Sequence, residues 1–269
     1  MIERGGYQPG VPCWVETWQR DAEAAVRFYT AVFGWDAERV ETPDATYYLC
    51  RLGGRDVAGV GASDALGGSS AWTTFVWVES VEKTAATVAE AGGRLVREPF
   101  DSLDGGRMAI VADPEGAVLG AWQPGRHRGA ELVNAPGAWS WSQLTARNVQ
   151  AAVAFYRAVF GWGTRRFDAG DGQVLTIWTV PGYVGGRPTQ PLPRDVVAGV
   201  VPLQDDGSAP RWGIEFWVDD VDEAAAKATE QDGSVVVAPF DGPIGRTAVL
   251  RDPGGATLSV SRVIPKGAP

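Results

Sequence analysis

Along Trp14-Val15-Glu16-Thr17-Trp18 the side chains alternate at period two, which predicts a strand with Trp14, Glu16 and Trp18 on one face and Val15 and Thr17 on the other. The period then changes. Ala25, Phe28, Tyr29, Val32 and Phe33 recur at helical spacing, with Asp21 placed to cap the start of the helix and Gly34 its end. The same succession returns as Trp141-Ser142-Gln143-Leu144-Thr145, Asn148 and the run from Ala151 to Trp162. Trp14 and Trp141 stand 127 positions apart, as do Phe28 and Phe155, so the chain carries a duplicated domain.

Further strands are predicted over Thr46–Leu52 and Asp56–Gly61, joined by a Gly53-Gly54 turn, and over Trp72–Val78. A helix over Val81–Ala91 ends at Gly92-Gly93. Strands over Arg94–Arg97, Met108–Val111 and Ala117–Trp122 follow, the last two joined by the turn Asp113-Pro114-Glu115-Gly116. Ala62–Ala71 reads as a Gly- and Ser-rich loop. In the second copy, strands over Val174–Val180 and Asp195–Val201 flank an insertion at Pro181–Pro193. Trp212–Val218 then repeats Trp72–Val78 at a spacing of 140, followed by a helix over Val221–Glu230, a strand over Ser234–Val237 and the turn Asp252-Pro253-Gly254-Gly255. Each half reads as strand, helix and three strands, done twice. The Pro- and Gly-bearing stretch between the halves gives a first domain at 8–123, a linker at 124–137 and a second domain at 138–264.

Each copy is long enough to bury a core of its own. A net charge of −9 leaves no clustered Lys and Arg for a nucleic-acid groove or an anionic membrane surface, so the expected partner is a small molecule or a protein. Two cysteines, Cys13 and Cys50, are too few for a disulfide scaffold and fit a reducing cytoplasm. No signal core or bilayer-length apolar window is present, and a cytoplasmic location is expected.

The strand, the capped helix ending in Phe-Tyr and then Phe-Gly-Trp, the second strand-helix unit and the Asp-Pro-x-Gly turn together resemble the vicinal oxygen chelate superfamily, which includes glyoxalase I, bleomycin-resistance proteins and extradiol dioxygenases. The resemblance runs from about Gly10 to Val263, and the Trp-rich double-domain form is similar to actinobacterial glyoxalase-like and hydroxylase-type proteins of secondary metabolism. It implies an α+β fold of two tandem domains, each of two βαβββ modules forming a curled mixed sheet with a cup. Metal-dependent members place His, Gln or Glu at positions that here hold Trp14, Thr73 and Gly120 in one copy and Trp141, Gly213 and Ser259 in the other. None of the six suits a first-row metal in that role, so no metal and no cofactor are expected. The sole histidine, His127, falls in the linker and reads as solvated.

In register with those positions, Trp14, Glu16, Trp18, Thr73, Phe75, Trp77, Val118, Gly120 and Trp122 are expected to face the first cup, with Tyr47 or Tyr48 supplying one phenol; Tyr48 is taken as the candidate. The second cup is expected to show Trp141, Gln143, Thr145, Gly213, Glu215, Trp217, Thr257, Ser259 and Ser261. The ligand-binding candidates are Trp14, Trp18, Tyr48, Thr73, Phe75, Trp77, Trp122, Trp141, Gln143, Trp217 and Ser259. Pocket wall and packing weigh equally for Trp14, Trp18 and Trp122; Trp35, Trp162, Trp72 and Trp212 read as structural. Glu16 and Glu215 are the candidate acid/base residues, since a carboxyl among indoles in a dry cup has a raised pKa; an ion pair of Glu16 with Arg51 or another basic side chain, or exposure at a wide cup mouth, is the plainer alternative.

Three functions follow. One is metal-independent binding of a planar or aromatic metabolite, such as a polyketide-like one, in secondary metabolism or resistance. A second is a metal-free enzyme catalysing a hydroxylase-, isomerase- or lyase-type step through Glu16 or Glu215. The third is a structural or interaction protein with filled cups. Two fused domains fit a monomer as well as a homodimer.

Overall fold

The computed structural model describes residues 2–41, 46–62, 70–102, 104–170, 173–186, 192–204, 207–242 and 245–263, so the loop at 62–71 and the insertion at 181–193 lie partly outside the described residues. After a short β1 (Ile2–Glu3), the first copy runs β2 (Pro12–Gln19), α1 (Ala22–Phe33), β3 (Asp36–Glu41), β4 (Thr46–Leu52) and β5 (Arg55–Ala62). It continues through β6 (Ala71–Trp77), α2 (Val81–Glu90), β7 (Arg94–Ser102), β8 (Gly106–Ala112) and β9 (Val118–Pro124). β10 (Leu132–Val133) leads to the second copy: β11 (Trp139–Ala146), α3 (Val149–Phe160), β12 (Gly163–Gly170), β13 (Gln173–Thr179), β14 (Val196–Pro202), β15 (Arg211–Trp217), α4 (Val221–Glu230), β16 (Ser234–Gly242), β17 (Gly245–Arg251) and β18 (Thr257–Val263). Each copy is two βαβββ modules, and the fold is α+β.

The caps sit where their chemistry places them. The Asp21 and Asn148 side chains accept from the amides of Ala24 and Ala151, and Gly34 and Gly161 close α1 and α3 in the left-handed conformation. Each copy forms an eight-stranded mixed sheet, in the orders β3-β4-β5-β2-β6-β9-β8-β7 and β12-β13-β14-β11-β15-β18-β17-β16. The middle pairs β2·β6 and β11·β15 are antiparallel, whereas β2·β5 and β6·β9 are parallel. Pattern reading misses β3 and β12 because Asp36–Glu41 and Gly163–Gly170 are edge strands, rich in charge and lacking clean alternation.

The expectation that each copy buries its own core is not met. One apolar cluster joins Phe28, Tyr29 and Phe33 of α1 to Phe216, Val221 and Leu258 of the second copy; the other joins Val81 and Val88 of α2 to Phe155, Tyr156 and Trp212. The helix-bearing faces of the two sheets therefore pack on each other, and Phe33 meets Phe216 with ring centroids 4.7 Å apart. Buried polar relays cross the same junction. The Trp72 indole donates to the Tyr29 hydroxyl at 2.9 Å, which donates to Asp252 Oδ2 at 2.7 Å. Trp212, Tyr156 and Asp113 repeat this at 2.9 and 3.0 Å. The Asp-Pro turn of each copy thus receives the helix tyrosine of the other. Trp35 and Trp162 are fully buried, their indoles donating to the carbonyls of Gly137 and Gly10 at 2.6 Å.

Candidate functional site

In the first sheet Trp14 stands opposite Phe75, Glu16 opposite Thr73 and beside Gly59, Phe75 beside Gly120, and Trp77 beside Trp122. Rings lie across the glycines: a Cβ on Gly59 would stand 1.8 Å from the Tyr47 hydroxyl, and one on Gly120 2.1 Å from the Phe75 ring. Glu16 is buried between them. Its Oε1 accepts from the Trp18 indole at 2.7 Å and its Oε2 from the Tyr47 hydroxyl at 3.0 Å; Trp14 Nε1 also approaches that hydroxyl, at 3.3 Å. Burial pushes the Glu16 carboxyl up, partly opposed by those donors. The alternative ion pair with Arg51 does not form, because Arg51 of β4 is engaged by Glu38 of β3 and Asp56 of β5, and Glu16 is buried rather than exposed at a mouth. Tyr48, the candidate phenol, points to the helix side of the sheet and reaches Glu23 of α1 at 3.4 Å; at period two its neighbour Tyr47 takes the cup.

The linker is also not the solvated tether that its composition suggests. Ala130 donates to the Cys13 carbonyl at 2.7 Å, Glu131 to the Asp56 carbonyl at 2.8 Å, and β10 pairs with β1. Gly129, at φ 87°, leaves no room for a Cβ, which would lie 2.4 Å from the Cys13 carbonyl. This strap lays His127 over the first cup. Its ring meets Trp14 edge-on at 4.4 Å and Trp122 at 5.7 Å, with Nδ1 3.8 Å from Asp56 and Nε2 buried without a hydrogen-bond partner. Burial lowers its pKa despite the nearby Asp56 and Glu131. Trp14, Phe75, Trp77 and Trp122 of the first cup are buried, and Thr73 and Trp18 lie half-buried. Both cysteines are buried, with the Cys50 thiol pushed up to about 12.

The second cup is open. A cavity of about 160 Å³ is lined by Trp139, Trp141, Gln143, Glu215 and Trp217, with Leu175, Val196 and Val197 at one side and Tyr7, Val11, Val133 and Asn134 at the other. Glu215 occupies the middle of the floor, opposite Trp141 on β11 and beside Ser259 on β18. Its Oε1 accepts from Ser261 at 2.7 Å, while its Oε2 has no partner among the described residues. Burial raises the Glu215 carboxyl, opposed by the serine. Ser259 shares the floor without lining the cavity, and Gly213, where the first copy has Thr73, leaves the surface exposed. At the mouth Tyr7 and Tyr183 are held by Arg4, whose guanidinium stands 5.6 and 5.3 Å from their rings and donates to the Tyr183 hydroxyl at 2.8 Å. Pattern reading missed Tyr7, Asn134 and Tyr183, which lie in loops that no periodicity marks.

The floors do not fit a first-row metal. The carboxylate of the first is already held by an indole and a phenol, and the second offers one carboxylate with hydroxyls and an amide, short of the imidazole and carboxylate set such ions take. No group of three or more His, Cys, Asp or Glu among the described residues is arranged to hold an ion. No described helix is long and apolar enough to cross a membrane.

The family model described as "Glyoxalase/Bleomycin resistance protein/Dioxygenase superfamily" matches residues 14–120 and 140–260. The protein CFP32 of Mycobacterium tuberculosis, which carries a provisional glyoxylase name, is 36% identical over 275 residues, covering 99% of this chain and 100% of its own. The anthracycline biosynthesis protein DnrV of Streptomyces peucetius is 34% identical over 271 residues, covering 94% of each. Among solved structures, the Mn(II)-bound glyoxalase of Novosphingobium aromaticivorans shares the fold with a TM-score of 0.63 at 16% identity, over 96% of this chain and 84% of that one. The 2,3-dioxygenase LapB of Pseudomonas sp. KL28 does so at 0.62 and 14%, over 96% and 95%. With both halves matched and the βαβββ modules repeated in each, the chain belongs to the glyoxalase/bleomycin resistance protein/dioxygenase superfamily.

Proposed function

We propose that this protein binds a planar aromatic small molecule in its second cup, without a metal ion, and serves secondary metabolism. One observation carries the reading: of two cups built on the same plan, the first buries its carboxyl and most of its aromatic floor under the strap, and the second keeps a cavity walled by indoles around a single carboxyl. Flat rings suit such walls, since ring-on-ring contacts add about 0.5–1.5 kcal/mol beyond burial of area. A volume of about 160 Å³ takes one or two fused rings, with the remainder of a larger ligand at the mouth. The relative in anthracycline biosynthesis supports a polyketide-type aromatic. The test is quenching of Trp fluorescence by a hydroxyanthraquinone. Trp141→Ala and Trp217→Ala are expected to weaken binding about tenfold or more, as loss of a stacking wall implies. Undiminished binding by both variants overturns the reading, and so does stoichiometric Zn, Ni, Mn or Fe that survives a chelator.

A second reading has an observation of its own. Glu215 is a half-buried carboxyl with a raised pKa facing the cavity, the placement a general acid or base requires. Glu215→Gln separates the two: binding kept with turnover lost supports an enzyme, whereas no turnover by either protein supports a binder. Glu16, enclosed by Trp18 and Tyr47, is not proposed for this role.

A further inference from the structure

The two cups differ in how their carboxyl groups are satisfied. In the first, an aromatic N–H and an aromatic O–H from the protein itself, those of Trp18 and Tyr47, occupy the two oxygens of Glu16. In the second, the Ser261 hydroxyl takes one oxygen of Glu215, and the other faces the cavity with no partner among the described residues. In a cup walled by Trp141 and Trp217 that oxygen is the acceptor left for a donor carried by the ligand, and a hydrogen bond to a charged group is stronger than one between neutral partners.

We infer that the second cup selects planar aromatics that present an N–H or O–H donor at the ring edge and carry no negative charge, with Glu215 as the selecting residue. This rests on the reading of that cup as an aromatic-binding site. The first cup serves as the template: there the protein's own indole and phenol make the contacts that a ligand makes in the second. The same carboxylate repels an anionic aromatic, because like charges in a weakly screened wall cost more than in water. The Tyr7 and Tyr183 hydroxyls do not compete for Glu215. Tyr7 donates to the Ala130 carbonyl at 2.7 Å, and Tyr183 is held by Arg4 at 2.8 Å.

Calorimetric titration of the full chain at pH 8 with 2-naphthol, 2-methoxynaphthalene and 2-naphthoate tests this. The three share a ring system and differ in donor and charge. The naphthol is expected to bind about tenfold tighter than the methoxy compound, the effect of one hydrogen bond to a charged group, with the naphthoate weakest. Glu215→Leu is expected to abolish the first difference. Glu215→Gln, which keeps an acceptor and removes the charge, is expected to admit the naphthoate; it also serves if the leucine variant does not fold. Equal binding of naphthol and methoxynaphthalene, or naphthoate binding tightest, overturns the selectivity while leaving an aromatic-binding cup. Absence of binding by all three overturns the aromatic-cup reading itself.

Discussion

Glu16 and Glu215 are both carboxyls set among indoles, and their surroundings assign them different work. Each oxygen of Glu16 is engaged at 2.7 and 3.0 Å, so Tyr47→Phe leaves a buried acceptor unmatched. It is expected to destabilise the protein by about 1–3 kcal/mol in urea unfolding, with ligand affinity of the second cup unchanged. Glu215 keeps one oxygen free toward the cavity, and burial raises its pKa. The ionised form accepts a ligand's donor, so affinity for a donor-bearing aromatic is expected to fall as pH drops through that raised pKa; titrations repeated across acid pH check this, and Glu215→Gln should flatten the profile. His127 titrates in the opposite sense to the buried acids. Burial holds its folded pKa below the ordinary 6.5, so the unfolded chain takes up the proton first. Its contribution to stability is full above about pH 6.5 and is lost as pH falls toward the lowered value. Because raised carboxyls such as Glu16 slope the other way, the measurement is the difference in unfolding free energy between the native protein and His127→Gln, expected to vary over that window.

The helices and the Asp-Pro turns are the most legible elements, and their roles exceed what pattern shows. Asp21, Asn148, Gly34 and Gly161 lie where capping chemistry puts them, because caps depend on residues three or four positions away. The turn aspartates do more than turn. Asp113 Oδ1 holds the amides of Glu115 and Ala117 at 2.9 Å, and its Oδ2 receives Tyr156 from the other copy. Tyr156→Phe removes the donor to Asp113 and the acceptor of the Trp212 indole together, and is expected to lower stability by about 1–3 kcal/mol in the same unfolding assay. The edge strands β3 and β12 escaped pattern reading for the converse reason: charged residues that keep an edge from pairing further also erase its alternation.

At the size of the whole chain, the duplication does not divide the protein into two independent halves. Each apolar cluster draws residues from both copies, and the strap between them covers the first cup. Fragments 1–137 and 138–269 expressed apart are therefore expected to lack a cooperative thermal transition, and to regain one when mixed. Cooperative melting of either fragment alone would count against the shared cores.

Local periodicity was enough to reveal two copies, their central strands, capped helices and turns, and which indoles and acids share a strand face, because the face a side chain takes follows from its own few neighbours; that those faces line cups came from the family resemblance. It could not tell which cup stays open. That depends on Tyr47 reaching Glu16 from a strand about thirty residues on, on the strap laying His127 over Trp14, and on a gap left beside Glu215. Such contacts join positions far apart in the chain, and only the packed molecule brings them together.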